Sequence, residues 1–290
     1  MTIEPIDLYH ERPGIIASYL LQTEDGPALF DCGPTTCVPH LKAGLAERGL
    51  DLTEIRHLLL SHIHLDHAGA AGVLVRQHPW LQVHVSAIGA PHLIDPAKLE
   101  ASARRLYGMS FDALWGELAP IPAANVHVVG DRVVGLECFP SPGHASHHVS
   151  YLDSQGTLYA GDAAGVRIGG GAFVMPPCPP PEFDLEAWEQ TILDIERRAP
   201  DRLALIHFGT FEDVEAHLTG LRETLARWTR WIKDGMDEPT FVAAARHDVS
   251  QTDANLADEY DRAAPYWHHY RGIERYWRKR REANAATARP

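Results

Sequence analysis

Apolar positions divide the chain into short strands set between amphipathic helices. Residues 3–9, 15–22 and 28–30, with Asp25-Gly26 as a turn, predict β structure at the N-terminus, the last two segments pairing as a hairpin. Over residues 36–48, Val38, Leu41, Leu45 and Ala46 share one helical face, and Gly49 supplies the stop. Leu58-Leu59-Leu60 reads as a buried strand, and residues 68–75 as a helix with small residues in its first turn, ended by Pro79. A strand at 82–86 leads into a mostly helical segment, 88–120, that carries Leu99, Leu106, Tyr107, Phe111 and Trp115. Residues 125–139 return to β pattern with Gly130-Asp131 as a turn. Residues 149–152 and 157–160 form a hairpin around Asp153-Ser154-Gln155-Gly156.

The stretch 165–184 is too rich in Gly and Pro for regular structure and too apolar for a free linker, so it predicts a pocket-lining loop. A helix at 185–199 and a strand at 202–206 follow. From residue 210 the pattern is helical: Val214, Leu218, Leu221, Leu225, Trp228 and Ile232 recur at steps of three and four, with Thr210 as N-cap and Gly235 as stop. Pro239 opens a second helix, and a third runs from 252 to about 282 with a break at Pro265. Its aromatic stripe, Tyr266, Trp267, Tyr270, Ile273 and Trp277, predicts packing on the body of the protein; a lid or a homodimer contact is the alternative. The division expected is a body at 1–210 and a helical extension at 211–290.

Composition narrows the class. A chain of 290 residues that is 45% hydrophobic can bury a large core, and no apolar run approaches the roughly 20 residues that span a bilayer. The N-terminus lacks a signal-peptide pattern, so a cytoplasmic location and no membrane partner are expected. The formal charge of −13, with only four lysines, argues against a nucleic-acid partner. A basic run, Arg271, Arg275, Arg278, Lys279, Arg280 and Arg281, is read as a solvated helix end, with an anion or partner site as the alternative. Four scattered cysteines predict buried thiols and no disulfide framework.

The chemistry concentrates in Ser61-His62-Ile63-His64-Leu65-Asp66-His67, three imidazoles and a carboxylate on a strand-to-helix loop. His62 and His64, two apart, suit an extended segment whose alternate side chains point one way, and Asp66 and His67 follow at the turn, free to face a second ion. Further donors stand at strand exits: Asp31 before Cys32-Gly33, His144 after Pro142-Gly143, Asp162 after Gly161, and His207 before Phe208-Gly209. His147 and His148 read as packing or supporting groups.

In this order, Ser61-His62-x-His64-x-Asp66-His67, Gly143-His144, Gly161-Asp162 and His207 make the chain resemble the metallo-β-lactamase superfamily over residues 1 to about 210. The resemblance implies an α/β fold, the αββα sandwich, with a C-terminal helical extension. It places His62, His64 and His144 on one ion, Asp66, His67 and His207 on a second, Asp162 between them, and Asp31 in support of the ligand loop through hydrogen bonds. Two divalent ions, zinc first with iron or manganese as alternatives, would acidify a shared water to a bridging hydroxide that attacks the substrate, and Asp66 would pass a proton toward the leaving group. Because true β-lactamases of the superfamily lack the bridging carboxylate, the resemblance implies a glyoxalase II-like or lactonase-like hydrolase of a small thioester or lactone. Trp115, Phe173 and Met175 are the candidate pocket residues, and Arg167 is the candidate cation for a phosphodiester. A phosphodiesterase, a mononuclear iron enzyme resembling persulfide dioxygenases, and a non-catalytic ligand-binding effector are the alternatives.

Overall fold

In the computed structural model, which describes residues 3–287, the alternating N-terminal segments become β1 (Ile6–Asp7), β2 (Ala17–Thr23) and β3 (Gly26–Phe30), paired antiparallel. The continuous apolar strand β4 (His57–Leu59), then β5 (Gln82–Val85) and β6 (Val126–Val128), add in parallel, giving the order β1-β2-β3-β4-β5-β6. A second six-stranded sheet is built from β7 (Arg132–Val133), β8 (Leu136–Pro140), β9 (Val149–Leu152), β10 (Thr157–Gly161), β11 (Arg202–Leu205) and β12 (Gly209–Phe211). Its neighbours are antiparallel except β10 and β11, which run parallel. Gly130-Asp131, read from sequence as a turn, is therefore the link between the two sheets. The tight turn is Val134-Gly135, both at positive φ (41° and 93°), the combination a two-residue hairpin loop needs to match strand twist.

The sheets pack face to face through aromatic side chains. Tyr19 and Phe30 of the first sheet meet Tyr151 and Tyr159 of the second at centroid separations of 5.5–6.0 Å. Each buried phenol must find an acceptor, and two do so across the sandwich: Tyr19 donates to the carbonyl of Leu205 (2.7 Å) and Tyr151 to that of Leu60 (2.9 Å).

Helices cover both outer faces, which makes the αββα sandwich. On the first sheet lie α1 (Val38–Glu47), α2 (Leu65–Ala68) and α3 (Ala71–Gln77), burying Leu41, Leu45 and Leu74 in the core that holds Leu29, Leu58 and Val83. The segment after β5 folds as α4 (Ala90–Ile94), α5 (Ala97–Tyr107) and α6 (Phe111–Trp115), with a small apolar cluster of its own around Phe111 and Trp115. On the second sheet, α7 (Leu185–Arg198), α8 (Val214–Lys233), α9 (Glu238–Thr252), α10 (Ala257–Ala263) and α11 (Tyr266–Thr287) share a core with Phe139, Leu158, Leu203 and Leu205. Asp184 and Asp237 cap α7 and α9 by accepting from the backbone N–H of Ala187 and Thr240.

Thr210 is not the helix cap that the pattern suggested. It pairs with Ala204 inside β12, and its hydroxyl donates to the carbonyl of Ile3, so α8 starts four residues later. Except for Trp267, which lies under Arg271 of its own helix, the aromatic stripe of α11 packs on α8 and α9: Tyr266 and Ile273 are fully buried, and the Trp277 indole donates to the carbonyl of Thr229. Among the described residues, no helix is long and apolar enough to cross a membrane.

Trp228 is fully buried on α8, against Phe173, Phe241 and Tyr266, with its indole N–H on Asp248. Trp228→Ala is expected to cost about 3–5 kcal/mol of folding stability, through lost transfer energy and the cavity left behind. Urea unfolding reads this directly, and an unchanged midpoint would contradict the packing described.

Candidate metal centre

Two parallel strand pairs bring the donor residues together. β3 and β4 run side by side, so Asp31 and Ser61-His62 leave the first sheet at one edge. β10 and β11 do the same for Asp162 and His207 in the second sheet, and the turn after β8 delivers His144. Backbone bonds from Val149 N–H to the Ser61 carbonyl and from Ala17 N–H to the Ile206 carbonyl tie the sheets at this edge. Gly161 (φ 52°) sits 2.6 Å, measured from an added Cβ, from the Ser61 side chain, so only glycine lets the two strand exits approach.

The side chains form two donor sets joined by one carboxylate. His62 Nε2 and His144 Nε2 each lie 2.9 Å from His64 Nδ1. In the other set His207 Nε2 is 3.4 Å and His67 Nε2 3.8 Å from Asp66 Oδ2. Asp162 spans both: Oδ2 is 3.3 Å from His144 Nε2, while Oδ1 is 3.3 Å from His67 Nε2 and 3.7 Å from His207 Nε2. Three groupings here can each hold a metal ion: His62, His64 and His144; His62, His67 and Asp162; and Asp66, His67 and His207. His67 Nε2 and Asp162 Oδ1, 3.3 Å apart, are buried and make no hydrogen bond among the described residues, a cost that a cation between them would remove.

The nitrogens turned away from the cluster are held by acceptors, which fixes ring orientation. His67 Nδ1 is 2.8 Å from Asp31 Oδ2, His144 Nδ1 is 2.8 Å from the Pro177 carbonyl, and His207 Nδ1 is 2.8 Å from the Ile15 carbonyl. Asp31 also accepts from the Ser61 N–H and hydroxyl, both at 2.7 Å, and the Ser61 oxygen lies 2.9 Å from His62 Nδ1. One carboxylate thus supports both arms of the loop. His148 Nε2 accepts the backbone N–H of Asp162, and its Nδ1 meets the Ser141 hydroxyl.

Electrostatics separate the two sets. Burial, then neighbouring imidazoles, hold His62 and His64 well below the ordinary histidine value, and burial lowers His144, so all three present neutral nitrogens. Burial pulls His67 down as well, but Asp162, Asp66 and Asp31 outweigh it and push it well above. His207 rises for the same reason, burial being overcome by Asp66 and Asp162. The second set therefore calls for positive charge, which a metal ion can supply in place of protons.

A cavity of about 770 Å³ opens on this cluster, reaching His64, Asp66, His144, Asp162 and His207. Its walls come from α4–α6, from Pro177–Glu182 and from the α10–α11 junction. Trp115 lines it, as the sequence suggested. Phe173, Met175 and Arg167 do not. Phe173 is buried against Trp228 and Tyr260, and Met175 is fully buried with its backbone paired to Val166. Arg167 lies over the Phe211 ring, donates to the Gly171 carbonyl and grips Asp213 with one nitrogen 2.8 and 2.9 Å from its two oxygens. Only the end of the 165–184 loop reaches the cavity, because its middle is captured by the helical layer. Missed from sequence were His10, stacked on Trp115 at 5.1 Å, and His268, edge-on to Tyr107 at 6.0 Å. A single histidine after a short strand and a His268-His269 pair within an aromatic helix match no ligand spacing, so neither carries a local signal. His147 also lines the cavity, 3.5 Å from Glu182.

The fold and this donor set define a class, and the chain belongs to it: residues 12–207 match the family described as the metallo-beta-lactamase superfamily. The uncharacterized protein YobT of Bacillus subtilis (strain 168) is 27% identical over 156 residues, 52% of this chain and 63% of YobT, so the match spans less than two thirds of that relative. ST1585 of Sulfurisphaera tokodaii, a metallo-beta-lactamase fold-containing protein, is 24% identical over 219 residues, 72% of this chain and 79% of its own. Its solved structure gives a TM-score of 0.68 at 20% identity, covering 94% of this chain and 97% of that one, helical extension included. TTHA1623, solved in a di-iron-bound form, gives 0.54 at 24% identity over 71% of this chain and 93% of that one. At these identities the structural likeness speaks to the fold.

Since Arg167 secures the segment before α8, Arg167→Ala is expected to lower folding stability by about 1 kcal/mol, the half-exposed Asp213 partner limiting the loss. Denaturant midpoints test this. Unchanged stability with altered substrate preference would place Arg167 in the cavity after all.

Proposed function

We propose that the protein is a binuclear metal-dependent hydrolase of small thioesters, lactones or related esters. The observation that carries this reading is Asp162, whose two oxygens face different donor sets and whose Oδ1 is buried opposite the equally unsatisfied His67 Nε2. His62, His64 and His144 would hold one ion, Asp66, His67 and His207 the other, with Asp162 shared and Asp31 supporting His67 and Ser61. Nitrogen and oxygen donors of this kind suit zinc, and iron fits them too, as the di-iron form of TTHA1623 illustrates for that protein. Such ions supply Lewis acidity and an acidified water.

The chain's own groups supply the rest. Asp66 stands on the cavity wall, where its carboxylate can take a proton from the attacking water and return it to the leaving group. Ile63, Leu65, Leu99 and Trp115 exclude water from the acyl side of the substrate and orient it by shape. A carbonyl substrate fits these apolar walls. Arg167, the cation that a phosphodiester reading relied on, is engaged elsewhere.

Elemental analysis of the purified protein is expected to find two ions per chain, and a panel of acyl thioester, homoserine lactone, aryl ester and bis-aryl phosphodiester is expected to show carbonyl turnover above phosphodiester turnover. Asp162→Ala should remove at least one ion and lower turnover by about 100-fold or more, since a group shared by both sets is lost. A single tightly held iron with oxygen consumption, or phosphodiester as the best substrate, would contradict the proposal.

Asp31 touches no substrate, so its effect should appear in ion retention. Asp31→Ala is expected to weaken retention roughly 10- to 100-fold in chelator competition, as loss of a carboxylate behind a ligating histidine does. Retention equal to wild type would remove Asp31 from the centre.

A further inference from the structure

The cavity wall built by α5 carries two parallel stripes. Lys98, Ser102 and Arg105 recur at i, i+4 and i+7, and Leu99, Ala103 and Leu106 repeat the same steps one residue later; all six line the cavity. Those steps keep each set on one helical face, so a basic stripe runs beside an apolar one for about 10 Å of helix. Arg262, at the end of α10, adds a third cation to the lining.

These cations are free to act. Most arginines of this chain are matched with acids, as Arg76 is with Glu117 and Arg246 with Asp258 and Asp261, in a sequence where 39 acids face 26 bases. Among the described residues, Lys98, Arg105 and Arg262 enter no ion pair. The acids lining the same cavity are mostly committed: Asp261 to Arg246, Glu182 to Ser146 and His147, and Asp66 and Asp162 to the donor sets. Glu11 is the exception, so the uncommitted charge around the cavity is positive.

We propose that the cavity selects an anionic amphiphile: an ester, thioester or lactone whose apolar chain lies along Leu99, Ala103 and Leu106 and whose distal carboxylate is drawn by the joint positive field of Lys98, Arg105 and Arg262. This rests on the hydrolase reading for its scissile bond: water adds to the acyl carbon, the acyl–oxygen or acyl–sulfur bond breaks, and the leaving group takes the proton. The three cations are specificity-determining and touch no reacting atom. Because they are solvent-exposed, their attraction for the anion is screened by salt.

The test uses the metal-loaded protein and two phenyl esters of equal chain length, phenyl hexanoate and the monophenyl ester of adipic acid, which ends in a carboxylate. The adipate ester should have the lower KM, with an advantage that shrinks as salt rises. In Lys98→Gln/Arg105→Gln/Arg262→Gln the ratio of the two KM values should fall about 10-fold, three weak pairs together. A charge-matched control, Arg132→Gln/Arg222→Gln/Lys279→Gln, removes three cations that do not line the cavity and should keep the wild-type ratio. Preference for hexanoate, or equal ratios in both triple variants, would overturn the proposal. Calorimetric binding of hexanesulfonate, a weak metal ligand, reads the cation cluster without turnover, and the cavity variant should bind it about 10-fold more weakly than the control. If neither ester is hydrolysed yet this difference holds, the hydrolase reading fails and anion selection stands; equal sulfonate binding by both variants sinks anion selection.

Discussion

Buried negative charge is the constraint around which this protein is arranged. Asp31 is fully buried and Asp162 nearly so, and Asp66 joins them around one imidazole, His67. Carboxylates taken out of water cost several kcal/mol each unless positive charge or donors meet them. Asp31 is satisfied by Ser61 and His67, whereas one oxygen of Asp162 makes no hydrogen bond among the described residues. The elevated imidazoles of His67 and His207 answer that demand, whereas burial and mutual repulsion keep those of His62, His64 and His144 depressed.

The sandwich makes that arrangement affordable to hold in place. Donors come from the exits of strands locked by sheet pairing, by the cross-sheet bonds of Tyr19 and Tyr151, and by backbone bonds at the shared edge. The cavity walls come from elsewhere, from the helical segment α4–α6 with its own small apolar cluster and from the helices packed on the second sheet. Donor sets and cavity walls thus rest largely on different parts of the chain. On the hydrolase reading proposed above, substitutions in α5 or at the α10–α11 junction would reshape the cavity while leaving the donor sets in place.

How much of this was legible from sequence depended on how local the signal was. The motif from Ser61 to His67, and glycine or proline just before His144 and Asp162, encode geometry within a few residues, and the structure brings all seven donors together. Helix periodicity located α7, α8 and α9 because each buries one continuous face. Long-range pairing was not legible: Thr210 looked like a helix cap, but the edge of the second sheet draws it into β12. Phe173 and Met175 looked like pocket walls because they lie in an irregular loop near a donor, and nothing local reveals that the helical layer buries them. The lining roles of His10 and His268 arise only where segments distant in sequence meet.

The most direct test of the central claim is anomalous diffraction from crystals of the metal-loaded protein, recorded on either side of the metal absorption edge. Two peaks are expected, one among His62, His64 and His144 and one among Asp66, His67 and His207, with the Asp162 carboxylate between them. A single peak, or two peaks with Asp162 turned away from both, would contradict it.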